Sequence, residues 1–248
     1  MTPPTSSPQG RIPPRTAGTQ VAHVQLELNL FVFSHSGKNV ADMKIICVGW
    51  NYARHNKELG YTLKEGEAPV FFFKPDSAYQ RNRKPFFLPD FSDRVEYEAE
   101  LVFRIGRLGK SIGERFADRY IDAVTVGIDF TARDMQNEAR EKGQPWALSK
   151  GFDASAVTGD MKPVEYYGKD MDNLRFRLDI DGETVQEGYS GDMVFPVRKL
   201  VGYVSRFCTL KTGDLIFTGT PKGVGPVSVG QHLQGYLEGE KVLDFHIR

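Results

Sequence analysis

Three glutamates alternate in RVEYEAELVF, at positions 96, 98 and 100 of a 248-residue chain. In a strand, Glu96, Glu98 and Glu100 share one face while Val95, Tyr97, Ala99 and Leu101 fill the other. Like charges in a row repel unless water or a cation screens them, so the segment is either a solvated strand face or part of a cation site. The cation site gains from VTVGIDFTARDMQNEAREKG, a buried-type strand that ends at Asp129 and turns into a helix. That helix has a capping-box-like Thr131 and Asp134 at its start, and Lys142 with Gly143 at its end. An aspartate at such a strand tip either caps the helix or joins a site. Two glutamates and an aspartate make an all-oxygen donor set, which suits Mg²⁺ or Mn²⁺ before Ca²⁺ and argues against zinc or copper.

Other groups with chemical potential lie elsewhere. In GWNYARHNKELG, His55 and Glu58 share a helical face, either as surface neighbours or as a carboxylate that orients a general base. In DLIFTGTPKGVGP, a strand from Asp214 to Phe217 enters a turn holding Gly219, Thr220, Lys222, Gly223 and Gly225. This is an ordinary tight turn or an anion cradle; the P-loop order is absent. Lys150 in PWALSKGF, and Lys74 with Ser77 in FFFKPDSAY, follow apolar runs that could hold an ammonium near a site.

Periodicity indicates the elements that must position these groups. Lys44 to Val48 and Pro69 to Phe73 are apolar runs of strand length, and Asn51 to Gly60 between them has an Asn cap and a Gly stop. Leu174, Phe176, Leu178 and Ile180 alternate with charged residues before Asp181-Gly182, a hairpin signal. Val197, Leu200, Val201, Val204, Phe207 and Cys208 recur at helical spacing after Pro196, and Leu243, Phe245 and Ile247 alternate again. The fold class is α+β and β-rich, with too few helices for a doubly wound parallel sheet. Lys plus Arg and Asp plus Glu each total 32, so no charge excess favours nucleic acid or an anionic membrane. Cys47 and Cys208, the two cysteines, sit in apolar runs, which excludes a disulfide scaffold and points to a reducing, cytoplasmic compartment. Residues 1–42, which open on a Pro/Ser/Thr-rich run, are expected to be a disordered or weakly attached extension, a tag or an overlong start. Met43 is then the natural start, and 43–248 the working domain.

Taken in order, VGWNYARHNKELG, FFFKPDSAY, EYEAEL, GIDFTARDMQ, PWALSKGFD, QEGYSGDMVF and FTGTPKGVGP resemble the fumarylacetoacetate hydrolase family, in particular its small single-domain members, over most of the chain from Met43 to Arg248. The resemblance implies a mixed β-sandwich roll with a few flanking helices, usually as a homodimer. It implies that Glu98, Glu100 and Asp129 bind Mg²⁺ or Mn²⁺, with Ca²⁺ as a substitute. Catalysis would fall to His55 and Glu58 on a short mobile helix and to Lys150, and substrate contacts to Gln136, Thr220 and Lys74. Trp50 before Asn-Tyr, and Tyr189-Ser190 after QEG, depart from the pattern. The implied substrate is a small 2-oxo acid, with no nucleic-acid or membrane partner. A C–C bond beta to the 2-oxo group would break through a metal-stabilised enolate, as in acylpyruvate hydrolysis or oxaloacetate decarboxylation. The same enolate would serve an isomerase or tautomerase of a 2-hydroxydienedioate or oxaloacetate. A non-catalytic protein that binds a metal or a small acid is the alternative from another class.

Overall fold

The computed structural model describes residues 43–53, 66–168 and 170–248. The chain divides into two units, Met1–Val40 and Ala41–Arg248, and the first lies outside the described residues, as does most of the helix expected over 51–60. In chain order the strands and helices are β1 (Ile45–Gly49), β2 (Val70–Lys74), β3 (Tyr79–Arg81), β4 (Val95–Tyr97), β5 (Ala99–Ile105), β6 (Ile121–Asp129), β7 (Thr131–Ala132), α1 (Arg133–Glu141) and α2 (Ala147–Lys150). There follow β8 (Ala156–Thr158), β9 (Lys162–Pro163), β10 (Arg175–Ile180), β11 (Glu183–Tyr189), α3 (Val197–Val204), β12 (Leu215–Phe217), β13 (Gly225–Pro226), β14 (His232–Leu237) and β15 (Glu240–His246).

An eight-stranded mixed sheet runs β2-β1-β12-β5-β6-β8-β3, with β9 beside β6. Its β1–β12 and β3–β8 pairs are parallel. Leu101 and Phe103 of β5 and Val124, Val126 and Ile128 of β6 point to one face, where the four-stranded antiparallel sheet β11-β10-β14-β15 covers them. That second sheet supplies Phe176, Leu178, Leu233, Leu243 and Phe245 to the shared core. The alternation expected in LRFRLDI is therefore present, and the Asp181-Gly182 turn follows with both φ angles positive, at 52° and 88°. That geometry matches the right-handed twist of the flanking strands. Helix α3 buries Val197, Leu200, Val201 and Val204 but ends at Val204, earlier than the apolar spacing predicts, and Phe207 is exposed beyond it. The mostly-sheet architecture with a few helices agrees with the expected class.

The other face of the large sheet carries a smaller apolar cluster, Ile45, Cys47, Val102, Ala156, Leu215 and Phe217. This is the face on which the acids lie.

Candidate metal and ligand site

The site follows from one antiparallel register. Ala99 pairs with Ile128 and Glu100 with Gly127, while beyond the junction Glu96 pairs with Thr131 and Val95 with Ala132. Between them Asp129 N donates to Glu98 O at 2.9 Å. The ladder keeps its phase throughout, so Glu96, Glu98, Glu100 and Asp129 all fall on the face opposite the main core. The segment read as a single strand in fact breaks at Glu98: β5 stays in the large sheet, while β4 joins a three-stranded sheet with β7 and β13. Glycine is needed opposite Glu100, because a Cβ at Gly127 would stand 2.6 Å from Val102 Cγ2 and 2.7 Å from Val157 O.

The face is not solvated. Glu96, Glu98, Glu100 and Asp129 are 3%, 6%, 1% and 1% exposed, so each carboxylate needs a partner. Arg133, the first residue of α1, donates to Glu96 Oε2 at 2.6 Å and Glu98 Oε1 at 2.5 Å, and also to Gln136. Arg94 holds the other oxygen of Glu96 at 2.7 Å. Lys150, at the end of α2, bridges Glu98 Oε2 (2.7 Å) and Asp129 Oδ2 (2.9 Å). Burial opposes the Lys150 ammonium, but Asp129 and Glu98 outweigh it and raise its pKa above the ordinary lysine range. Glu100 accepts from Gly219 N at 2.7 Å. Burial, followed by the charges of Asp129 and Glu98, pushes the Glu100 carboxyl well above its usual range.

Glu98, Glu100 and Asp129 each present an oxygen within 4.8 Å of the others, and they are the only such group of metal-ligating side chains among the described residues. Lys74 Nζ stands 2.6 Å from Asp129 Oδ1 and also lies within hydrogen-bond reach of Phe130 O, Ser155 O, Ser155 Oγ and Lys150 O, more acceptors than its three N–H groups can serve. Asp129 Oδ1 thus has a charge beside it and no aligned donor. Three clustered carboxylates, one bearing an oxygen without a hydrogen bond, fit a hard divalent cation.

Glu98, Glu100, Asp129, Gln136, Lys150 and Thr220 line one cavity. Lys74, expected among the substrate contacts, is not part of this lining: its side chain is fully buried beside Asp129. The Gly-rich turn does hold a carboxyl group, but it is the chain's own Glu100, through the Gly219 amide. Gly219 sits at φ 92°, and a Cβ there would meet Asn51 Cβ at 2.9 Å. Thr220 donates to Ala99 O and accepts from Gln186, so its hydroxyl also ties the turn to β5. Lys222 lines a different cavity, with Tyr52 and Asp192. The capping-box expectation for α1 is overturned: Ala132 is the N-cap and makes no side-chain cap, Thr131 lies in β7, and Asp134 accepts from Ser92 and Asp93. Lys142 and Gly143 do close the helix, the glycine at φ 63°. His55 and Glu58 lie outside the described residues.

Sequence patterning missed Arg133, Arg140 and Trp146, which also line the cavity. Arg133, Gln136 and Arg140 fall at i, i+3 and i+7 of one helix, and that spacing was the available signal. Trp50, at φ 57°, meets Trp146 edge-on with centroids 5.1 Å apart, and Trp146 meets Phe72 at 5.8 Å, forming an aromatic wall whose Phe72 ring centroid lies 5.5 Å from Lys150 Nζ.

Comparison with known proteins agrees with this geometry. The family model described as fumarylacetoacetate (FAA) hydrolase C-terminal matches residues 44–247. The mitochondrial oxaloacetate tautomerase FAHD1 of Arabidopsis thaliana is 40% identical over 204 residues, which is 82% of this chain and 90% of that protein. The crystal structure of fumarylpyruvate hydrolase from Pseudomonas aeruginosa in complex with Mn²⁺ and pyruvate superposes with a TM-score of 0.77 at 36% identity, covering 82% and 88% of the two chains. For 2-hydroxyhepta-2,4-diene-1,7-dioate isomerase from Mycobacterium marinum the TM-score is 0.70 at 32% identity, with 82% and 73% covered. These relatives are named as a tautomerase, a hydrolase and an isomerase, and the chain belongs to their family of enzymes, the fumarylacetoacetate hydrolase family.

Proposed function

We propose that this protein is a divalent-metal-dependent enzyme of small 2-oxo acids, and that it interconverts the keto and enol forms of oxaloacetate. The observation that carries this is the placement of Glu98, Glu100 and Asp129 on one sheet face, with Lys150 bridging two of them. The tautomerase name of a relative 40% identical to this chain supports this choice of reaction. Mg²⁺ or Mn²⁺ held by the three carboxylates would supply Lewis acidity towards the 2-oxo acid.

The chain's own residues supply the rest. Lys150 is held as an ammonium, so it stabilises negative charge that develops on the substrate rather than removing a proton. Gln136 offers an amide to a bound acid, and Arg133 keeps that amide and Glu98 in place. The aromatic wall excludes water from one side. His55, which Glu58 would orient, is assigned the proton transfer. Cleavage of acylpyruvates is the second activity, supported by the likeness to a fumarylpyruvate hydrolase; there His55 would activate water towards the distal carbonyl.

Purified protein is assayed with oxaloacetate, acetylpyruvate, fumarylpyruvate and a 2-hydroxydienedioate, with and without chelator. The expected result is tautomerisation of oxaloacetate that chelator abolishes and Mg²⁺ or Mn²⁺ restores. Full turnover in excess chelator defeats the metal role, and no turnover on the whole panel defeats the enzyme assignment.

A further inference from the structure

Helix α1 sends three polar side chains into the cavity, and two of them are committed. Arg133 is held by Glu96 and Glu98, and Gln136 by Arg133. Among the cations of the cavity, Lys150 is likewise held by Glu98 and Asp129. Arg140, two turns along the same stripe, lines the cavity from an exposed position, and no ion pair to it occurs among the described residues. It is exposed while the carboxylates are buried, so it stands at the rim and they form the floor, with Trp50 and Trp146 lining the same cavity.

Charge points the same way. With the ion bound and the three carboxylates ionised, Glu98, Glu100 and Asp129 offset Arg133, Arg140 and Lys150, so the described lining is neutral apart from the ion itself. A divalent cation leaves two positive charges, which a dianion neutralises and a monoanion does not. We propose that Arg140 is the specificity-determining cation for a carboxylate at the far end of the substrate, so that the site selects dianionic 2-oxo acids over monoanionic ones of the same length. The proposal rests on the 2-oxo acid function given above and adds the residue that recognises the distal carboxylate. A rim guanidinium paired with a carboxylate is a charge-assisted hydrogen bond that favours the dianion about tenfold.

The test uses binding rather than turnover. The chain has two tryptophans, Trp50 and Trp146, and both line this cavity, so intrinsic fluorescence reports its occupancy. The Mn²⁺-loaded full chain is titrated with 2-oxoglutarate and with 2-oxopentanoate, which differ only in the distal carboxylate. Wild type should bind 2-oxoglutarate about tenfold more tightly. Arg140→Met should erase that preference while 2-oxopentanoate binding stays unchanged, and Arg140→Lys should restore part of it. Discrimination that persists in Arg140→Met, or an equal loss for both acids, overturns the proposal alone. Binding of neither acid to wild type overturns it together with the functional assignment.

Discussion

Glu100 is a buried carboxylate clustered with two other acids, Glu98 and Asp129. Its pKa is raised by burial and by the neighbouring acids, so in the metal-free protein the folded state binds its proton more tightly than the unfolded state does. A raised folded-state value contributes stability below the unfolded pKa and loses it as pH climbs through the folded one. The melting temperature of the metal-free protein should therefore fall as pH rises from 5 towards 8. The increase on adding Mg²⁺ or Mn²⁺ should be larger at pH 8 than at pH 5, because the ion must displace the proton. Thermal scans with chelator and with metal check both signs. Lys74 belongs to the same scale. With no solvent exposure and Asp129 beside it, Lys74→Met removes one half of a buried ion pair and should cost about 3–5 kcal/mol in urea denaturation. Lys74→Met combined with Asp129→Asn should recover part of that loss. His55→Ala should reduce acylpyruvate hydrolysis far more than metal-dependent decarboxylation of oxaloacetate; equal losses in the two assays would remove its role in water activation.

Among the elements, the β5–β6 ladder and α1 decide the site. The ladder's glycine opposite Glu100 lets Val102, Val157 and Phe217 close beneath the acids. Gly127→Ala forces a Cβ into side chain and backbone at once and should destabilise by about 1–3 kcal/mol. For a domain of this size that is a fall of about 2–4 °C per kcal/mol, readable by calorimetry. Helix α1 is unusual in what it buries. Its buried residues are Arg133 and Gln136, so an amphipathic apolar stripe does not explain its docking. Ion pairs to Glu96 and Glu98 hold it to the sheet instead, which makes the helix part of the site rather than a cover for the core.

For the whole molecule, the family match over residues 44–247 and the unit Ala41–Arg248 both contain the cavity-lining residues. A chain begun at Met43 should keep the metal-dependent shift in melting temperature and the turnover of the full-length protein, within a factor of two in kcat/KM. A loss of either would show that the first 42 residues contribute to the site. The balance of 32 bases and 32 acids hides a strong segregation, with four acids buried on one sheet face and Arg133, Lys74 and Lys150 folded in against them.

Much of this was legible in the chain itself, for a physical reason. Side-chain alternation is a local property of an extended backbone, so the placement of Glu96, Glu98 and Glu100 opposite Val95, Tyr97, Ala99 and Leu101 needed no knowledge of partners. The same holds for the strand that ends at Asp129 and for the Asp181-Gly182 hairpin. Only the tertiary structure decided what those acids meet. The register that sets Asp129 beside Glu98, the burial of Lys74 beside Asp129, the capture of Glu100 by the Gly219 amide and the rim position of Arg140 all join residues distant in sequence. Such contacts depend on how strands pair and sheets pack, and local patterning carries no term for them.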